Sequence, residues 1–219
     1  MDNKKRFGTR EIAGAAMFAS LAFAVAYLCQ FIPRVQGFLT PDVKDAVIAI
    51  ASFIFGPAVA PAISLVVAFL EFITFSTTGP WGFLMNFVSS SVFSLTASLI
   101  YRYKRSFGSA VLGLAVSVGL TTAVMLLLNP IIVPLYSGVS REIVIKMLPG
   151  ILLPFNFAKT LLNSALTMLL YKPLISALRL AKLVPAGKFK TEFNKSTLLS
   201  VIIGAATLVG AFLILIKIW

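Results

Sequence analysis

The sequence holds no histidine, a single cysteine and only seven acidic residues among its 219 positions. Without histidine there is no Ser-His-Asp triad, no His-ligated metal centre and none of the commonest general base at neutral pH. Cys29 cannot close an intramolecular disulfide. With no imidazole to activate it, it is a poor nucleophile, and its apolar surroundings read as a buried or lipid-facing thiol. No Gly-x-x-x-x-Gly-Lys-Ser/Thr loop occurs, so the chain does not itself draw on ATP, and there is no His-Glu-x-x-His motif. No pair of carboxylates falls within one helical turn inside an apolar segment. Charged residues make up 12% of the chain, about half the share of a soluble domain.

Apolar residues fill the gap: 59% of the chain is hydrophobic and the mean hydropathy is +0.98. A soluble fold of this length would need a polar surface that these residues cannot make, so the surplus faces lipid. The expected class is an all-α integral membrane protein of about six or seven transmembrane helices, each needing about 20 apolar residues. Apolar segments run over about Glu11–Ile32, Asp45–Phe55, Ala58–Phe75, Trp81–Tyr101, Ser109–Leu128, Ile151–Leu178 and Leu198–Ile218. The second is short and ends at the turn signal Gly56-Pro57. The first is too long for the apolar core of a cleaved signal and reads as a retained helix. Between the fifth and sixth segments, Asn129–Gly150 carries Pro130, Pro134 and Pro149 and reads as irregular.

The formal net charge of +12 invites a nucleic-acid partner, but its distribution argues otherwise. Basic residues cluster before the first segment (Lys4, Lys5, Arg6, Arg10), after the fourth (Arg102, Lys104, Arg105) and around the linker before the last (Lys172, Arg179, Lys182, Lys188, Lys190, Lys195). Loops rich in Lys and Arg stay in the cytoplasm, and a cytoplasmic N-terminus puts all three clusters there. The opposite side then receives residues 33–44, 76–81 and 129–146, three polar or irregular stretches. Such backbone survives near membrane depth only against protein or a watery cavity, so an outward-facing pocket is expected.

Several side chains could serve it. Asp42 and Asp45 suit the start of a helix as cap and first-turn acid, but Lys44 is disfavoured there. Glu71 is an intramembrane carboxylate that either functions, pairs with a lysine or reaches the headgroups. Asn156, Lys159 and Asn163 share one face of the sixth segment; the lysine either snorkels outward or joins the two amides in holding a polar ligand. Asn86 and Asn129 are further polar positions, and Asn86 reads first as a helix–helix hydrogen bond. On the first segment Ala15, Ala19, Ala22 and Ala26 form a row of small residues, with Ala16, Ser20 and Ala24 parallel to it. Such rows admit a close helix, from this chain or from a partner.

Leu39-Thr40-Pro41-Asp42-Val43-Lys44-Asp45 and Phe53-Ile54-Phe55-Gly56-Pro57 resemble the substrate-binding S components of energy-coupling-factor (ECF) vitamin transporters. Glu71 with Thr74, Ser76–Gly79, Met85-Asn86, Leu153-Pro154-Phe155-Asn156-Phe157-Ala158-Lys159 and Leu170-Tyr171-Lys172-Pro173 are similar to the riboflavin-specific branch. The resemblance covers about residues 10–185. It implies a six-helix core in a bacterial plasma membrane with a cytoplasmic N-terminus, and an outward vitamin pocket closed by the first external loop. It also implies assembly with a transmembrane coupling subunit and two ATPases, no enzymatic activity, and no cofactor beyond riboflavin as cargo. Onto this chain it carries Asn129, Asn156 and Lys159 as ring contacts, Leu39 and Thr40 from the loop, and Asp42 and Lys44 from the loop motif. Asn86 and Asn163 are added from their place among the polar positions. Phe38 and Met85 suit the apolar face of the ring. Ala15, Ala19 and Ala22 become the expected docking row for the coupling subunit. The expected organisation is a six-helix core over 1–185, a basic linker over 186–197 and an additional transmembrane helix over 198–218, which the family core does not require. Another vitamin, a lipid-modifying membrane enzyme or a ligand-free scaffold remain the alternatives. The enzyme would have to work with Lys159 and Glu71 alone, and the scaffold leaves the polar stripe without a purpose.

Overall fold

A computed structural model describes residues 8–37, 39–180 and 195–218. Phe38 and most of the expected linker lie outside them. The described residues form eight α-helices and contain no strand beyond an isolated bridge: α1 (Thr9–Cys29), α2 (Lys44–Phe55), α3 (Val59–Thr74), α4 (Gly79–Lys104), α5 (Phe107–Ser137), α6 (Arg141–Met147), α7 (Leu153–Leu180) and α8 (Lys195–Ile218). A π-helical turn, Leu148–Leu152, joins α6 to α7. Five stretches are long and apolar enough to cross a bilayer, drawn from α1, α4, α5, α6–α7 together and α8.

The short α2 lies at the centre. Residues 44–53 are buried without a break; beyond the charged first turn the helix is apolar on almost every side, as expected of one shielded by protein. On one side Val47, Ile48, Ile50 and Ala51 meet Phe18, Ala19 and Ala22 of α1 and Val59, Ile63 and Val67 of α3. On the other, Ala49 and Phe53 meet Phe93, Ala97 and Tyr101 of α4 and Leu114 of α5. Helix association in lipid rests on close packing rather than on the hydrophobic effect. The α4–α5 contact shows how close: a Cβ on Gly113 would fall 2.7 Å from the Ala97 carbonyl oxygen.

Three sequence expectations are corrected. The Asn129–Gly150 stretch is largely helical: α5 runs through Pro130 and Pro134 to Ser137, and α6 occupies 141–147. Each proline lacks the N–H for the carbonyl four residues back, that of Leu126 and that of Pro130, and crowds the preceding turn. The helix continues nonetheless, and polar side chains beside the prolines bond other carbonyls of the same helix. Asn129 Nδ2 donates to Met125 O at 2.6 Å and Ser137 Oγ to Val133 O at 2.7 Å. The row Ala15, Ala19, Ala22 is not a free surface. Ala22 is 0% exposed and Ala19 6%, both held in the α1–α2–α3 core with Ala15 partly buried beside them. Ala16, Ser20 and Ala24 of the parallel row are exposed, as is Ala13. The last helix begins at Lys195, inside the expected linker, and lies along α7, where Gly204 lets it approach Leu169 and the Ala165 carbonyl.

Candidate functional site

At the end of the bundle opposite Arg102 and Lys104, α1, α3, α4, α5, α7 and the α1–α2 loop enclose a cavity. All three stretches that the sequence put on the outer side contribute to it: Arg34, Leu39, Thr40 and Asp42 from the first, Ser76, Thr77 and Thr78 from the second, Asn129 and Tyr136 from the third. The cavity volume is about 140 Å³. That is smaller than a typical site for a drug-sized molecule, ~300–1,000 Å³, so such a ligand would need the lining to move apart.

The deep wall is ionic. Lys44 at the start of α2 is 2% exposed, with its ammonium 2.8 Å from Glu71 Oε1 and 3.4 Å from Asp42 Oδ2. Lys159 of α7 lies 2.8 Å from the same Asp42 oxygen. Asn86 of α4 donates to Glu71 Oε2 at 2.7 Å, and Ser90 donates to Asp45. Burial opposes ionisation of the loop residue Asp42, but Lys159 and Lys44 outweigh it and hold its carboxyl down at about 2. The lysine disfavoured at a helix start is thus placed by its partners: it ties the loop before α2 to α3. Buried charges persist only when paired in this way. Asp42 Oδ1, also buried, has no hydrogen-bond partner.

The side wall carries amides. Asn129 and Asn156 are 2% and 6% exposed, and each spends one N–H on its own helix, Asn129 on Met125 O and Asn156 on Leu152 O at 2.7 Å. That fixes their rotamers and leaves an Oδ1 acceptor and a second N–H donor on each. The Leu152 carbonyl belongs to the π-turn, a feature frequent at functional sites. Met85, Met125, Phe75 and Phe155 supply apolar surface, while Ser76, Thr77, Thr78 and Thr40 add hydroxyls.

Leu39, Thr40, Asp42, Lys44, Asn86, Asn129, Asn156 and Lys159 therefore meet on one cavity, with Met85. Asn163 does not line it. Fully buried, it donates to Asp42 O and Lys159 O at 2.9 Å each and accepts from Ala46 N at 2.8 Å, bolting α7 to the entry of α2. Lining residues that the sequence did not single out as contacts include Gln30, Phe75, Met125, Tyr136 and Phe155. The available signal was the place of Tyr136 within the third outer stretch and of Gln30, Phe75 and Met125 shortly before one. Among the described residues no group of His, Cys, Asp and Glu could hold a metal ion, and Cys29 is buried.

The family model for the substrate-specific component of ECF transporters matches residues 10–171. The riboflavin transporter RibU of Staphylococcus aureus is 32% identical over 171 residues, 75% of this chain and 89% of that protein. Its counterpart in Streptococcus thermophilus is 28% identical over 180 residues, 78% and 85% of the two chains. A solved S component of a bacterial ECF transporter superposes with a TM-score of 0.66 at 31% identity, covering 77% of this chain and 97% of the other.

Proposed function

This chain belongs to the substrate-specific components of ECF transporters, and we propose that it is the multi-pass membrane subunit that captures riboflavin for uptake. The observation that carries the reading is the convergence of Asn129, Asn156 and Lys159 on one cavity, in a chain similar over most of its length to two riboflavin transporters. The isoalloxazine edge presents carbonyls and an imide N–H. Two asparagines, each held by its own helix with one acceptor and one donor to spare, can read that edge in both senses. Lys159 offers a cation to a ring carbonyl, and its pairing with Asp42 offsets the cost of a buried ammonium. Met85, Met125 and Phe155 suit the ring faces, and the hydroxyls at 76–78 suit the polyol chain.

Lys44 and Glu71 act in this reading as the frame that holds Asp42, and through it Lys159, in place. The basic clusters put the N-terminus in the cytoplasm and the cavity mouth outside. The resemblance to the ECF family implies that transport takes a transmembrane coupling subunit and two ATPases, which would supply the nucleotide loop this chain lacks. The exposed Ala16–Ser20–Ala24 row of α1, rather than Ala15–Ala19–Ala22, is the face free to receive the coupling subunit. Riboflavin titration of the purified protein tests the ligand: saturable binding supports the reading, and its absence, with binding of a different vitamin instead, overturns it.

A further inference from the structure

We propose that the outer end of α8 is a positioning element for the ligand cavity: it braces the α1–α2 loop in the conformation that presents Leu39 and Thr40. The loop is a small hairpin in which Val35 N donates to Leu39 O at 2.8 Å and Leu39 N to Val35 O at 3.0 Å. Its turn needs left-handed backbone at Gln36 (φ 52) and Gly37 (φ 80). Glycine adopts that region freely, but glutamine does not, so the Gln36 conformation must be held from outside. What holds it is α8. Gln36 Nε2 donates to the Ile218 carbonyl at 3.3 Å, one of the last-turn carbonyls that have no partner within a helix. Val35, fully buried, packs with Leu215 of α8 and with Phe155 and Ala158 of α7, and Leu39, Ile214 and Ile218 close around them.

The loop therefore has two anchors of different origin. Asn163 of α7 fixes its downstream end at Asp42, within the residues that the family model matches. The hairpin itself rests on α8, beyond residue 171 where that match ends. A separate contact, Gly204 against Leu169 and Ala165 of α7, seats the opposite half of α8 away from the hairpin. As Leu39 and Thr40 line the cavity, a loosened hairpin opens the ligand's exit. The effect should fall on dissociation, where most affinity changes among variants of one interface lie.

The proposal rests on the riboflavin reading for its ligand, so its test has one readout that needs no ligand. Hydrogen–deuterium exchange of residues 31–43 is measured on the full chain without riboflavin, and riboflavin dissociation is then followed by stopped-flow fluorescence. In the Leu215→Ala/Ile218→Ala variant both rates should rise by about tenfold or more, because truncating a buried leucine weakens its contacts by more than one decade of equilibrium constant. Gln36→Ala, an exposed change that leaves the core intact, should move both in the same direction. Leu169→Ala, at the other half of the α7–α8 contact, should lower thermal stability and leave both rates unchanged. Unaltered exchange in the first two variants overturns the brace. So does faster exchange without faster dissociation, or an equal acceleration in Leu169→Ala. Faster exchange in a protein that binds no riboflavin even as wild type leaves the brace standing and removes the ligand reading instead.

Discussion

Lys44→Met tests whether the buried ionic wall holds the site together. The ammonium of Lys44 is 2% exposed and lies within 3.4 Å of both Asp42 and Glu71. Methionine keeps the stem and the approximate volume but removes the charge, leaving the two carboxylates facing each other with Lys159 as the nearby cation. Breaking a buried ion pair from one side costs about 3–5 kcal/mol. On the scale of soluble domains of similar size that is a fall in melting temperature on the order of 10 °C. The double variant Lys44→Met/Glu71→Gln removes the counter-charge too, and Asn86, which donates to Glu71 at 2.7 Å, can still donate to the glutamine carbonyl. It should recover at least half of the loss, since a matched uncharged replacement is far less costly than an orphaned charge. The assay is thermal unfolding in detergent of the wild type, both single variants and the double variant, read as a double-mutant cycle. A Lys44→Met protein as stable as wild type, or a double variant whose loss is the sum of the singles, would refute the reasoning.

Two further outcomes separate roles that the sequence runs together. Asn156→Ala should weaken riboflavin binding by about tenfold or more while the melting temperature stays within a few degrees, the lost bond to Leu152 O being worth only ~1 kcal/mol. Asn163→Leu should instead lower stability by about 2–4 kcal/mol, because three buried partners lose their bonds; the check is denaturation beside calorimetric titration of each variant. On α1, Ala16→Leu/Ser20→Leu should spare vitamin binding and abolish co-purification with the coupling module. Ala19→Leu should cost ~1–3 kcal/mol of stability by overpacking the core. Assembly that survives the first variant would put the docking face elsewhere.

The helices were legible where hydropathy alone decides them, as in α1, α4 and α8, and the buried α2 was readable as a short segment ending at Gly56-Pro57. The end of α5 was not. Pro130 and Pro134 break helices in water, whereas here the helix continues through both, a tolerance familiar in membrane helices. The two small-residue rows of α1 look alike in sequence, and only the packing of α2 and α3 against α1 decides that Ala19 and Ala22 turn inward. Asn163 does share a face with Asn156, as its spacing requires, but one element closes the cavity above it: the entry of α2, whose backbone it binds. Lys44 is an oddity at a helix start, and its explanation lies 27 positions away in Glu71, a pairing that depends on how α2 packs beside α3. Gln30, Tyr136 and Phe75 reach the cavity only through the way the helix ends converge.

The central claim is that the cavity is a flavin site. Trp81 stands exposed at the start of α4, next to Gly82 of the cavity wall, and its fluorescence can report a flavin bound there. The direct measurement is the visible absorption spectrum of the detergent-purified protein, followed by titration with riboflavin under tryptophan excitation. A yellow preparation, or quenching that saturates at one vitamin per chain and is lost in Asn156→Ala/Lys159→Ala, is the predicted result. A colourless protein that shows neither quenching nor heat on addition of riboflavin, yet binds another vitamin, would contradict it.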